Sequence, residues 1–109
     1  MIGVLATARK YDEAEAHLAR AIELQPRNPA AHAANGALLA ARDQPDRGAT
    51  ELALSLELNP EQDDVRLDLA RTLEQLGRGA AAQTEYRRLA DGRETPPEIR
   101  AAARARLRR

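Results

Sequence analysis

The amino-acid sequence predicts an all-α protein built from pairs of antiparallel helices, and three observations lead to this prediction. Alanine and leucine dominate the apolar residues, only two aromatic side chains are present, and these apolar residue types favour helix over strand. Leucine-like positions recur 34 residues apart, as in Leu18 and Leu52. Prolines, glycines and asparagines separate the apolar stretches, which indicates short connections between adjacent antiparallel helices.

Boundary signals divide the chain into six helices. Asn28 is expected to cap a helix that begins at Pro29, and Pro45 occupies another first helical position, where its missing N–H is tolerated. Gly77 and Gly79 break the chain between two helices. The other expected caps are Asn59, Asp63 and Thr95. The expected helices span 11–24, 29–42, 45–58, 63–76, 79–91 and 97–108, with a short helical stub before Tyr11.

The 34-residue period divides the chain into copies of a helix pair. The segment AIELQPRNP, which starts at Ala21, returns in similar form as SLELNPEQD, which starts at Ser55. The third copy decays, because Gly92 and Glu94 stand where leucine and proline are expected. We therefore expect one domain over residues 1–109, with a partial repeat over 1–28, a repeat over 29–62, a degenerate repeat over 63–95 and a capping helix over 96–109.

A helix–turn–helix unit of 34 residues with small residues at fixed offsets resembles the tetratricopeptide repeat. In that pattern a small residue of the first helix, here Gly36, meets a small residue of the second, here Gly48. A proline ends the second helix, as Pro26 and Pro60 do here. The resemblance implies a right-handed superhelical stack of antiparallel helix pairs, an α-solenoid with a C-terminal capping helix. The chain departs from the pattern at His32, where the family usually has tryptophan.

Stability in such a stack is expected to depend on leucines that neighbouring helices cover. The expected core leucines are Leu18, Leu52, Leu69 and Leu73. The last helix, within PPEIRAAARARLRR, resembles the helix that covers the final repeat of such proteins. Its expected buried stripe comprises Ile99, Ala102, Ala103 and Leu107, and its expected basic face comprises Arg100, Arg104 and Arg108.

A second resemblance concerns the stretch RLDLARTLEQLGR, residues 66–78, and the PPEIR helix that follows. It is similar to the helical repeats that precede a membrane barrel in the surface lipoprotein assembly modifier family. That resemblance implies a periplasmic location if the chain is excised from an exported parent protein. The N-terminal run MIGVLATA has no basic region and falls far short of the about 20 residues that span a bilayer. We therefore expect a cytoplasmic protein in the first instance.

The sequence offers no pattern typical of an enzyme, so we expect no catalysis, no cofactor, no metal and no small-molecule substrate. Cysteine is absent, which excludes disulfides and thiolate metal sites. His17 and His32 lie on different expected helices, His17 facing outward and His32 at a packing position. Neither belongs to a zinc-binding motif, and no nucleophile elbow or glycine-rich phosphate loop occurs.

In tetratricopeptide proteins the first helix of each repeat lines a concave surface that holds a peptide. The resemblance therefore implies a scaffold that binds a partner peptide or helix, although the alanines can equally serve to pack neighbouring helices. Asp64 and Asp68 have the wrong charge for the chaperone C-terminal peptides that one subclass clamps, so we expect an apolar or helical ligand with basic flanks. The candidate partner-binding residues are Ala30, Ala33, Ala34, Ala37, Ala41, Asp64, Leu67, Asp68, Arg71 and Gln75.

Two other functions stay open. A structural role with self-association through residues 1–10 is motivated by the apolar side chains of Ile2, Val4 and Leu5, which a truncated repeat leaves uncovered. Nucleic-acid contact is the lesser alternative. Residues 86–109 carry eight arginines against three acidic residues, whereas the rest of the chain has nine basic and fourteen acidic residues. No aromatic residue interleaves the arginines, which argues against base stacking.

Overall fold

The computed structural model describes the backbone of residues 2–107 and the side chains of residues 7–107, and throughout this range it is a stack of α-helices without a strand. The all-α prediction is therefore confirmed. The helices are α1 (Ile2–Leu24), α2 (Pro29–Ala41), α3 (Pro45–Leu58), α4 (Asp63–Gln75), α5 (Gly79–Asp91) and α6 (Pro97–Leu107).

Each helix packs against the next one in the chain, and α4 also contacts both α2 and α6. The connections are three to five residues long, which requires neighbouring helices to run antiparallel. Within the described residues, α1 contacts α2 alone. The helix at the N-terminal end is therefore the least supported element of the stack.

The helix that contains Tyr11 is longer than the sequence prediction. The expected stub and the expected helix over 11–24 form one continuous helix, α1. No proline or glycine occurs from Val4 to Leu24, so helical hydrogen bonding continues through this stretch. The apolar side chains of Ile2, Val4 and Leu5, proposed for self-association, lie outside the described side chains.

The structure confirms the predicted helix cap at Asn28 but not those at Asn59 and Asp63. Asn28 caps α2, because its Oδ1 accepts hydrogen bonds from the backbone N–H of Ala30 at 3.0 Å and of Ala31 at 3.4 Å. The prediction for Asn59 is wrong, since this residue follows the last turn of α3 and its Oδ1 accepts from Glu61 N at 3.1 Å. Asp63 is the first residue of α4 instead of its cap.

Two connected groups of buried side chains form the core. One surrounds Leu52 and Leu69 between α3 and α4, and the other surrounds Tyr86 and Leu89 between α4, α5 and α6. Leu73 packs against both groups. Of the leucines expected in the core, Leu52 and Leu69 are buried, whereas Leu18 and Leu73 are half-buried. In α6 the stripe of Ile99, Ala102, Ala103 and Leu107 packs against the second group, as predicted.

The backbones of α2 and α3 lie in close contact at the predicted pair of small residues. A Cβ atom added to Gly36 would lie 2.8 Å from the backbone oxygen of Gly48, and one added to Gly48 would lie 2.7 Å from that of Gly36. Backbone atoms cannot move away as a flexible side chain can. The contact therefore requires glycine on both helices.

We expect Gly36→Ala to lower the free energy of unfolding by about 1–3 kcal/mol, because the added methyl group forces α2 and α3 apart. Alanine has a higher intrinsic helix propensity than glycine, worth about 1 kcal/mol in a helix interior, and this gain in stability partly offsets the loss from packing. Urea unfolding followed by circular dichroism measures the difference. Gly79→Ala is the matched control, since nothing lies within 4 Å of its added Cβ. Equal stability of the two variants would contradict the close contact.

Candidate partner-binding site

Eight of the ten predicted partner-binding residues are exposed on two rows, one on α2 and one on α4. Each row repeats at intervals of three or four residues, which places its members on one side of the helix. We call the two rows the α2–α4 surface. The α2 row consists of Ala30, Ala34, Ala37 and Ala41, and the α4 row consists of Asp64, Asp68, Arg71 and Gln75.

A depression of about 250 Å³ separates the C-terminal halves of the two rows. Ala37 and Ala41 form one wall, Asp68 and Arg71 form the other, and Leu52 of α3 lies at the bottom. Alanine side chains extend no further than Cβ, so a second backbone can approach α2 closely. The depression is thus narrow and apolar on one side and charged on the other.

A second depression of about 390 Å³ adjoins the first, because Arg71 and Gln75 line both. Its other lining residues are Glu74 of α4, Tyr86 of α5 and Arg106 of α6. The sequence prediction missed these three residues. The repeat period does not pair Glu74 with Arg106, and only the basic composition of the tail pointed toward α6.

The second depression is built on a hydrogen-bonded network. The Tyr86 hydroxyl donates to Glu74 Oε1, and the Arg106 guanidinium donates to both oxygens of the same carboxylate, with Nε 3.1 Å from Oε1. Burial, together with the Glu74 carboxylate, raises the pKa of Tyr86 to about 12, so the hydroxyl remains a donor at neutral pH. The network holds the end of α6 against α4 and α5.

Charges change sign along the α4 row. Asp64 and Asp68 make one end acidic. Neighbouring atoms remove the exposed Asp68 carboxylate partly from water, which raises its pKa; the nearby Asp64 also raises it, whereas Arg71 acts in the opposite direction. No ion pair within the described side chains involves Arg71. The side chains of Asp64 and Arg71 are both exposed.

Two of the predicted site residues do not belong to this surface. Leu67 is 9% exposed and packs in the group around Tyr86, so its assignment to the surface is corrected. Ala33 is half-buried and packs against the group around Leu52. Both corrections have one cause. Three helices contact α2 and four contact α4, so the apolar stripe of each is wider than a single exposed row suggests.

The two histidines lie in different environments, as predicted. His17 is exposed on α1, whereas His32 is buried and contacts Glu51 and the backbone oxygen of Pro26. The described residues contain no group of three histidine, cysteine, aspartate or glutamate side chains that could hold a metal ion.

Two arginines of the predicted basic face of α6, Arg100 and Arg104, line one depression on this helix. Arg100 turns back onto the preceding loop and donates to the backbone oxygen of Thr95 at 2.9 Å. Arg106 is paired with Glu74, and Arg104 is exposed. Arg108 lies outside the described residues. Two of the three described arginines of α6 thus have partners within the protein.

Among residues 2–107, no helix combines the length and apolar character needed to cross a membrane. A scan against known protein families finds no match, and a search of curated proteins finds no significant match. The likeness to the tetratricopeptide repeat therefore rests on the sequence pattern.

Proposed function

We propose that this protein is a scaffold of the tetratricopeptide type that binds a partner peptide or helix and performs no catalysis. In this proposal the six helices form a right-handed superhelical stack, and α2, α4 and α6 line its concave side. The observation that carries the proposal is the row of exposed alanines on α2, which faces the charged row on α4 across an open depression. We further propose that the protein works in the cytoplasm.

The composition of α2 supports the proposal that a partner covers the exposed side of this helix. Its sequence, PAAHAANGALLAA, contains no aspartate, glutamate, lysine or arginine, although one side of the helix is exposed. The exposed side of a helix in water normally carries charged or polar residues. An alanine-lined side instead suits a second helix or an extended backbone, because small side chains allow close approach over a long contact.

The charges of α4 set the expected chemistry of the partner. An apolar or helical segment would lie over the alanines of α2, and basic residues at its flank would meet Asp64 and Asp68. Complementary charges of this kind act mainly on partner choice and association rate. The chaperone C-terminal peptides bound by one tetratricopeptide subclass present a carboxylate, which Asp64 and Asp68 would repel, so they are not expected ligands.

The Asp68→Arg/Arg71→Glu variant tests this surface. Tagged wild-type protein and the variant are used to recover partners from native lysate, which are then identified by mass spectrometry. Both side chains are exposed and the net charge is unchanged, so we expect the variant to fold and to lose the partner. Circular dichroism of the purified variant verifies its fold.

A matched control exchanges charges elsewhere on the chain. The Arg87→Glu/Asp91→Arg variant changes two exposed residues of α5 and also leaves the net charge unaltered. The expected result is a partner retained by the wild type and by this control but lost from the α4 variant. Recovery of the same proteins by all three baits would contradict binding on the α2–α4 surface.

Self-association is the second candidate, and one observation favours it. Since α1 contacts only α2 among the described helices, its opposite side is available to another copy of the chain. Light scattering over a range of concentrations distinguishes this role from binding by a monomeric scaffold. Nucleic-acid contact through α6 is less favoured, because Arg100 and Arg106 already have partners within the chain.

A further inference from the structure

His32 connects two segments of the chain that flank α2. Its Nδ1 lies 2.7 Å from Oε2 of Glu51 on α3, and its Nε2 lies 2.7 Å from the backbone oxygen of Pro26, in the connection between α1 and α2. The imidazole side chain is only 6% exposed. Both ring nitrogens therefore have a partner at short distance in a site that water scarcely reaches.

Both partners of the ring are hydrogen-bond acceptors. A neutral imidazole has one N–H and can donate to only one of them, whereas the imidazolium ion donates from both nitrogens. We propose that His32 is a protonation-dependent clamp that fastens the connection after α1 to α3, and that the clamp opens on one side when the proton is lost. This inference concerns the folding of the chain and is independent of the proposed partner.

The charged groups around His32 support this assignment. Among the described side chains, Glu51 is the charged group that contacts the ring. On α1, Arg20 and Glu23 pair with each other at 3.4 Å on an exposed site, and on α3 Arg47 donates to Gln44 at 2.7 Å. Arg27, in the same connection as Pro26, is exposed.

Burial alone would lower the pKa of His32, but its hydrogen bonds to Glu51 and Pro26 and the charge of Glu51 raise it above the ordinary value of 6.5. The sign of the pH effect follows from this direction. A histidine with a raised pKa in the folded state contributes its full stabilisation below the pKa of the unfolded chain. That contribution disappears as the pH rises through the pKa of the folded state.

The position of the clamp determines which part of the molecule responds. Arg42, at the C-terminal end of α2, holds the middle of α1 through Asp12 at 2.8 Å and Glu15 at 3.2 Å, and its guanidinium lies over the ring of Tyr11. The clamp acts at the other end, just after the last residue of α1. Its opening should loosen that end while leaving α4, α5 and α6 in place.

A nuclear magnetic resonance titration tests the protonation. A His17→Gln background leaves His32 as the only histidine of the chain, so the titrating imidazole signal has one source. We expect the midpoint to lie at higher pH in the folded protein than in the same protein unfolded in urea. In a Glu51→Gln variant, whose amide oxygen can still accept from Nδ1, the upward shift should be smaller. A folded midpoint at or below the unfolded one would overturn the proposal.

A distance measurement tests the opening. The chain has no cysteine, so spin labels can be placed specifically at Ala19→Cys on α1 and Ala53→Cys on α3, both at exposed positions. We expect a narrow distribution of label distances at about pH 5.5 and a broader one at about pH 8.5, across the range in which histidine titrates. In a Glu51→Gln background, the difference between the distance distributions at the two pH values should be smaller. A distribution that does not change with pH in the otherwise native protein would contradict the clamp.

Discussion

Tyr86→Ala is expected to lower the free energy of unfolding by about 3–5 kcal/mol, the cost of removing a large aromatic side chain from a core. Tyr86 is fully buried and lies in the group of side chains that joins α4, α5 and α6. Its removal leaves a cavity where these helices meet. It also leaves the Glu74 carboxylate without the hydroxyl donor.

Urea unfolding of wild type, Tyr86→Ala and Tyr86→Phe separates the two contributions of this residue. Tyr86→Phe keeps the ring and removes the hydroxyl, so its expected loss is about 1.5–3 kcal/mol, that of a hydrogen bond to a charged group. Equal losses in the two variants would contradict the packing role of the ring. A loss confined to Tyr86→Ala would contradict the role of its hydrogen bond to Glu74.

Leu69→Ala is expected to lower the free energy of unfolding by about 2–5 kcal/mol, since it removes three buried carbon atoms from the group between α3 and α4. Leu69 is buried in this group together with Leu52, Leu56 and Val65. The short connections on both sides of α4 limit how far the helices can close the space. Thermal and urea unfolding both report the effect.

Leu24→Ala is the matched control for this prediction. Leu24 ends α1 and is 66% exposed, so the same substitution there should change the free energy of unfolding by no more than about 0.5 kcal/mol. An unchanged melting temperature for Leu69→Ala would contradict the packing of α3 against α4.

The sequence predicted the helices best where proline or glycine marks a boundary. The expected bounds of 45–58 and 79–91 agree with α3 and α5, which begin at Pro45 and Gly79. The start of α1 had no such signal and was placed too late. Asn59 was assigned to the wrong helix, because an asparagine side chain can bond within a turn as readily as it can cap a helix.

The candidate site was predictable only in part, because some of its features are local in the sequence and others depend on contacts between distant helices. The exposed rows on α2 and α4 follow from helical periodicity, which is local. The burial of Leu67 and the network of Glu74, Tyr86 and Arg106 depend on how α5 and α6 meet α4. Such contacts join residues up to 32 positions apart, and neither the 34-residue period nor the helical period encodes them.

The most direct test of the proposed function is to map the partner on the chain. The segment of a captured partner that binds is added to isotope-labelled protein, and the amide signals are followed by nuclear magnetic resonance. The account predicts that the largest changes occur along α2 and α4, from Ala30 to Ala41 and from Asp64 to Gln75, with smaller changes near Arg106. Changes concentrated on the exposed sides of α3 and α5 would contradict it and would place the binding surface on the opposite side of the stack.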